Sequence, residues 1–392
     1  MRKTIVVLTA AALATAVAAG NPRHGEPFGR ATLTGFASLP ALTYVPASEP
    51  SGSALGTTPV NGVTAPFPGQ PVQGFSGVVR NGDGTFLAMS DNGFGTKANS
   101  ADFVLRVHHI RPDFRRNTVT VLGGFDLSDP AGKAPFALTR ADRRLTGADF
   151  DVESVVRTAD GTFWFGDEFG PFLLHADAGG RLLEAPIALP GVRSPQHPHL
   201  DGAAPNLGVS RGFEGLARSV DGTTLYPLLE GPVTGDPATS LRINEFDLRG
   251  RAYTGRRWTY PLDSAAHAVG DFAAVGRERF LVIERDSGQG AAAVFKKIFL
   301  VTLRKDGTTD KRQVADLMDL ANPRRIGGFP ATFTFPFETI EDLVVLGDRT
   351  LGVLADNNFP SSSGRAPGVP DDTEFITVRL ARGLGADRRV YR

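Results

Sequence analysis

The sequence predicts an all-β protein, a β-propeller, on three observations: a strand-turn-strand unit recurs five times, acids hold fixed places in each unit, and no convincing long amphipathic helix interrupts them. The units read "FSGVVRNGDGTFLAMSDNG" from Phe75, "VESVVRTADGTFWFGDEFG" from Val152, "FEGLARSVDGTTLYPLLEG" from Phe213, "GDFAAVGRERFLVIERDSG" from Gly270 and "IEDLVVLGDRTLGVLADNN" from Ile340. With Ser76, Glu153, Glu214 and Glu341 as origins, Asp83, Asp160, Asp221 and Asp348 all lie seven residues on. Gly84, Gly161 and Gly222 follow three of these, and Asp-Gly suits hairpin turns because it tolerates positive φ. The fourth unit, taken from Asp271, has "GRER" at its turn and fits more loosely.

The chain opens on "MRKTIVVLTAAALATAVAAG", where Arg2 and Lys3 precede an apolar run that closes on small residues, which predicts a cleaved signal peptide over 1–19. That run is shorter than the roughly 20 apolar residues of a spanning helix, so no membrane span is expected. With no cysteine there is neither a disulfide framework nor a lipid-modified thiol, and a secreted or periplasmic protein is expected. Residues 20–30 lead into a single propeller domain over 31–392. Its first strand is "ATLTGFASLPALTYV", followed by a Pro/Gly-rich linker over 47–71. Later β-rich runs, "FVLRVHHI", "TVTVLGGF" and "KKIFLVTL", supply outer strands, while "RQVADLMDLANP" reads as a short helix. Two further loops, 189–212 and the stretch after Asn357, join units near the edge where the acids gather. The last unit has only three strands, "EDLVVLG", "TLGVLAD" and "TEFITVRL", so the N-terminal strand is expected to complete the C-terminal blade and close the ring. Five blades result, with six as the alternative if the long unit from Ser76 to Leu145 holds another.

Lys plus Arg and Asp plus Glu both number 42, so no overall field draws in nucleic acid. A monomer acting on a small molecule is expected. A second acid closes each unit 13 to 16 residues after its origin: Asp91, Asp167, Glu230, Glu284 and Asp356. A hairpin brings the start of its first strand and the end of its second to one edge, so these acids ring one mouth of the channel. Two carboxylates 4 Å apart repel by about 4 kcal/mol at an effective dielectric near 20, and need protons, cationic side chains or metal. An all-oxygen ligand set selects a hard cation, and Ca²⁺ suits a wide ring better than Mg²⁺. Glu153, Glu214 and Glu341 are the first candidate ligands, with Asp271, Asp91 and Asp167 behind them. The competing reading has these acids bonding turn backbone or pairing with Arg285, Arg211 and Lys97.

"GFSGV", "SDNG", "DGTFWFGDEFGPFLL", "RGFEGLA", "VIERD" and "FETIEDLVVL...LADNNF", in this order, resemble the phytase-like domain family, described by an esterase-like activity of phytase. The resemblance covers nearly the whole mature chain. It implies an exported propeller acting on phosphoric esters, inositol phosphates among them. β-Propeller phytases set several Ca²⁺ ions beside a phosphate site rich in Lys and Arg, and no such basic cluster aligns here. For a phosphoesterase, Arg285 and Lys297 are candidate catalytic cations, Lys97 and Arg211 candidate substrate contacts, and Glu168 a candidate base. "GVSRG" at Gly208–Gly212 fits the nucleophile-elbow pattern, but a strand follows where a helix is needed, which counts against Ser210. His197 and His199 sit in a Pro-rich loop, and the pair His108 and His109 points to opposite faces of a strand. Two further readings stay open: a non-catalytic calcium-stabilised propeller that binds a glycan, nucleotide or envelope protein, and a calcium propeller that opens lactones or carboxylic esters.

Overall fold

The computed structural model describes residues 28–391. The signal-peptide expectation over 1–19, and most of the 20–30 segment, lie outside them. Apart from four three-residue 3₁₀ segments, the regular structure among the described residues is all strand. In chain order the strands are β1 (Thr32–Leu39), β2 (Phe75–Arg80), β3 (Phe86–Ser90), β4 (Arg106–Asp113), β5 (Thr118–Asp126), β6 (Val152–Arg157), β7 (Phe163–Asp167), β8 (Phe172–Ala176) and β9 (Ile187–Ala188). There follow β10 (Phe213–Arg218), β11 (Thr224–Leu229), β12 (Ser240–Asp247), β13 (Ala252–Pro261), β14 (Ala268–Gly276), β15 (Arg279–Arg285), β16 (Lys296–Leu303) and β17 (Thr309–Asp316). The last are β18 (Leu320–Ala321), β19 (Thr332–Phe333), β20 (Thr339–Gly347), β21 (Thr350–Asp356) and β22 (Thr373–Arg379).

These strands pair antiparallel in the sequences β2-β3-β4-β5, β6-β7-β8-β9, β10-β11-β12-β13 and β14-β15-β16-β17. The path β20-β21-β22 is completed by β1, which runs antiparallel to β22 from Thr32 opposite Arg379 to Leu39 opposite Thr373. The N-terminal strand therefore ties the two ends of the chain together, as its orphan pattern predicted. A single parallel bridge, Ser38 to Thr118, also links β1 to β5. The first strands β2, β6, β10, β14 and β20 touch in that order, and β20 returns to β2. They enclose a channel of about 340 Å³ lined by Val78, Val155, Leu216, Ala273 and Val344. This radial arrangement is a β-propeller.

Apolar side chains fill the gaps between neighbouring sheets. Phe75, Phe86 and Ile110 meet Leu354 and Phe375 in one gap, and Phe165 and Phe172 meet Met89 and Val107 in the next. A strand buried on both faces needs an unbroken apolar run, which is why β15 reads "RFLVIER" with only its first residue part-exposed. Each such side chain contributes roughly 1.5–3 kcal/mol when fully buried. The Asp-Gly turns form as expected: Gly84, Gly161 and Gly222 have φ of 82, 85 and 77 degrees. In each, the aspartate accepts the backbone N–H two residues on, from Thr85, Thr162 and Thr223.

One expectation fails. "RQVADLMDLANP" is not helical: its first half lies in β17, paired with β16, and Leu320–Ala321 form β18. There Val314 and Ala315 pack in the core, so sheet pairing and burial override the helical reading. Residues 127–151 form loops with isolated bridges such as Ser128 to Arg144. No helix among the described residues is long and apolar enough to cross a membrane.

Candidate functional site

Every inner strand carries a β-bulge at the same level. Pairing skips one residue between Phe75 and Gly77, Val152 and Ser154, Phe213 and Gly215, Val269 and Asp271, and Ile340 and Asp342. The five bulged residues are therefore Ser76, Glu153, Glu214, Gly270 and Glu341. A bulge re-aims one side chain out of the pleat, and repeating it around the ring gathers three glutamates at one level. Asp271 is one residue out of this register, which corrects its expected place in the ring. Both its oxygens accept backbone N–H groups, from Phe272 at 2.6 Å and from Leu343 of the next inner strand at 2.7 Å. Gly270 takes the bulge because a Cβ there would stand 2.1 Å from the carbonyl oxygen of Ile340. Gly270→Ala is expected to lose about 2–4 kcal/mol in urea unfolding, while Gly82→Ala, which has open space around it, stays within about 0.5. Equal losses would show that the inter-strand approach at Gly270 does not matter.

A second tier comes from the ends of the second strands. Asp91, Glu168 and Glu230 each donate their backbone N–H, at 2.8 Å, to the residue two before a bulge: Gly74, Asp151 and Gly212. Arg285 and Asp356 pair with the corresponding Ala268 and Thr339. The closing positions are thus Asp91, Glu168, Glu230, Arg285 and Asp356. Asp167 and Glu284, expected to close their units, stand one residue short. Asp167 turns into the backbone, accepting from Asp151 at 2.9 Å and Gly170 at 2.7 Å. Glu284 is engaged by Tyr260 at 2.7 Å, His267 at 2.9 Å and Lys311.

The two tiers hold seven carboxylates, with Asp151 adjoining them, around one buried cation. One oxygen each of Asp151, Glu153 and Glu168 lie within 4.8 Å of one another, as do oxygens of Glu168, Glu214 and Glu230. Glu168 therefore joins two triads. Burial first, and then neighbouring carboxylates, hold Glu153, Glu168 and Glu214 well above the usual carboxylate range. Asp91 is raised in the same way, and Asp356 is pushed up to about 8 by burial and Glu341. Arg285 donates to Glu341 at 2.8 Å and stands 3.8 Å from Glu230. Burial alone would lower Arg285, but Glu341, Glu230 and Glu214 outweigh it and hold the guanidinium charged. Oε1 of Glu168, Oε1 of Glu214 and Oδ1 of Asp151 are buried without a hydrogen-bond partner among the described residues.

The other candidates divide. Arg211 pairs with Glu230 and its side chain is 47% exposed, so it stands at the mouth with room to turn. Lys97 donates to the Gln196 carbonyl at 3.1 Å and lies 4.7 Å from the Phe169 ring centre, with Asp167, Asp149 and Asp151 nearby. Lys297 does not join the acids: it lies 4.5 Å over the Phe295 ring. Its neighbour Lys296 is the buried lysine of β16, bound to Asp286 at 2.9 Å and to the Glu338 carbonyl at 3.0 Å. The hydroxyl of Ser210 accepts from the Gln196 amide at 3.0 Å, in a turn that leads straight into β10. His197 packs on Phe172 and His199 on Phe136. His108 is buried with its pKa lowered to about 3 by desolvation, and His109 bonds Thr85 on the opposite face. Sequence reasoning missed Asp151 and the buried Asp342, neither of whose oxygens has a partner among the described residues.

With this geometry in view, comparison with known proteins adds a family. Residues 70–359 match the phytase-like family, described by esterase-like activity of phytase. The chain belongs to that family. An uncharacterized secreted protein of Arthroderma benhamiae is 25% identical to this phytase-like chain over 226 residues, 46% of this chain and 43% of that protein. The chain thus matches under half of that relative's length. Among solved structures, an exo-β-1,3-galactanase of Phanerochaete chrysosporium aligns with a TM-score of 0.41 and 12% identity, over 84% of this chain and 63% of that one. A β-1,3-galactosidase of GH43 gives 0.44 and 11% over 79% and 57%, and the Dos1 propeller gives 0.33 and 8% over 81% and 70%.

Proposed function

We propose that this phytase-like protein is a secreted, five-bladed β-propeller that hydrolyses phosphoric esters with bound Ca²⁺. Five inner strands around one channel support the blade number. The apolar N-terminal run and the secreted relative support export. The observation that carries the reading is the surplus of buried carboxylates over cations, with orphaned oxygens on Asp151, Glu168 and Glu214. Oxygen donors without cysteine or histidine fit a hard cation. Asp151 and Glu153 would hold one ion, and Glu214 and Glu230 another, with Glu168 within reach of both groups. Bound there, a divalent cation supplies charge neutralisation at phosphate oxygens.

The chain's own residues then have defined tasks. Glu341 and Ser76 fix Arg285, since Ser76 donates to one Glu341 oxygen at 3.0 Å while Arg285 holds the other. The guanidinium is thereby aimed and kept charged for a phosphate oxygen. Arg211, able to leave Glu230, reaches a substrate at the mouth. Glu168, buried between two triads, takes or gives a proton at the reacting centre. Sequestering these groups from water strengthens each charge interaction.

A second reading, a carboxylic ester or lactone hydrolase on the same acids, is favoured by an apolar cavity that opens beside Asp91. The experiment is hydrolysis of phytate, an aryl phosphate, an aryl acetate and a lactone by metal-stripped protein, with and without Ca²⁺. Phosphate release that requires Ca²⁺, and falls by about 100-fold or more in folded Glu168→Gln and Glu214→Gln variants, is the expected result. Turnover of the acetate or lactone alone selects the second reading. Turnover indifferent to metal removal and to both substitutions overturns the proposal.

A further inference from the structure

We propose, resting on the hydrolase reading above, that the cavity beside Asp91 receives the alcohol portion of the substrate, so that the preferred ester is a phosphoric monoester of an aryl or branched aliphatic alcohol rather than a polyphosphate. The cavity measures about 280 Å³ and is walled by three loops: Leu55–Ala65, Asp91–Asn99 and Asn358–Ser361. This volume lies just under the roughly 300–1,000 Å³ typical of small-molecule sites. Val60 and Val63 bridge each other, and the hairpin tip between them is pinned by Asn61, whose amide donates to the carbonyls of Pro360 at 2.8 Å and Ser361 at 2.9 Å. Beneath lies an apolar cluster built wholly from loops, with Phe67 5.0 Å from Phe359 and 5.9 Å from Phe94.

The repeat does not require this loop. A long excursion between two strands, folded over its own aromatic cluster, is characteristic of binding loops. Val60 is 41% exposed at the rim, an apolar side chain facing an open cavity. The decisive feature is continuity with the acids. Asp91 is both a wall of the cavity and a member of the second tier, and Asn358 and Phe359 lie two and three residues beyond Asp356. An apolar group seated here delivers its ester oxygen to the carboxylate ring. A polyphosphate has no such group.

The test compares 1-naphthyl phosphate, methyl phosphate and phytate as substrates of Ca²⁺-loaded full-length protein, wild type and the rim variants Thr58→Trp and Val60→Asp. The expected kcat/KM ratio of naphthyl to methyl phosphate is at least about 30-fold, collapsing by about tenfold in either variant. Calorimetric titration with uncharged 1-naphthol gives a readout independent of turnover, with saturable binding expected in wild type and lost in both variants. Turnover without size preference, or a preference for phytate, together with no naphthol binding, overturns the cavity assignment and leaves the hydrolase reading standing. No turnover of any ester, with naphthol still bound and lost in the variants, overturns the hydrolase reading and keeps the cavity as an apolar ligand site. Failure of both removes both.

Discussion

Metal-stripped protein is expected to lose thermal stability as the pH rises from 5 to 8, and Ca²⁺ to restore it mainly at the upper end. Burial pushes Asp167 and Asp271 up to about 7, and Asp356 up to about 8 with the help of Glu341. In the unfolded chain the same carboxyls release their protons near 3.8. Between those values the folded state binds more protons than the unfolded one, so stability falls with rising pH. The favourable contribution is fully present below about 4 and is lost as the pH climbs through 7 to 8. Each such group contributes roughly 1.4 kcal/mol per pH unit across its window. Even with coupling between neighbours, the Tm of the metal-free protein should fall on the order of 10 °C from pH 5 to 8. A cation that binds only the folded state adds about 2.7 kcal/mol at 100 times its Kd. Because it binds the ionised carboxylates, the gain should be larger at pH 8 than at pH 5. Scanning calorimetry at both pH values, with EDTA and with Ca²⁺, provides the check. A Tm that is flat across the range and indifferent to Ca²⁺ would mean that the chain's own cations already neutralise the ring.

The repeat, the hairpins and the closing strand were legible because each rests on a local rule: period-two apolar runs, Asp-Gly turns, and an orphan strand pattern at one end of the chain. The ring of acids was legible in outline for the same reason, since hairpin geometry brings strand starts and ends to one edge. What the sequence could not convey was register at the level of one residue. A bulge shifts the pairing without changing the apolar pattern, so Asp271 looked equivalent to Glu341 when Gly270 holds that place. The same uncertainty put Asp167 and Glu284 where Glu168 and Arg285 stand. Lys297 and Lys296 are adjacent in a strand and point to opposite faces, so choosing the wrong one moved the candidate from a buried ion pair to an aromatic surface. One signal was available. Gly270 precedes Asp271 at the one unit whose turn also lacks the aspartate, which marked that unit as the place where phase was least secure.

Replacing Arg285 should have the largest effect of any single substitution, and its outcome separates a structural role from a functional one. Arg285 fills the one closing position of five that is not acidic, and the bulge beside it is a glycine. The fourth unit thus supplies the ring's internal counter-charge instead of a further carboxylate. Arg285→Met removes that charge while keeping most of the volume, and leaves Glu341 and Glu230 buried without it. Breaking one side of a buried pair typically costs about 3–5 kcal/mol, so a Tm fall on the order of 5–10 °C is expected in metal-free protein at pH 8. At pH 5, well below the value of about 8 to which burial and Glu341 push Asp356, that neighbour carries a proton and the deficit should shrink. Glu341→Gln added to Arg285→Met should recover part of the loss, because it removes the carboxylate left without its partner. Ca²⁺ should narrow the stability gap as well, since a divalent ion compensates the same charge. Phosphate release should respond differently: it should stay low in Arg285→Met even where Ca²⁺ has restored the fold, and Arg285→Lys should recover only part of it, lacking the planar fork. Full activity in a Ca²⁺-restabilised Arg285→Met variant would assign the arginine to holding the ring together and to nothing beyond it. A metal-free variant within about 1 kcal/mol of wild type at pH 8 would sink the counter-charge argument itself.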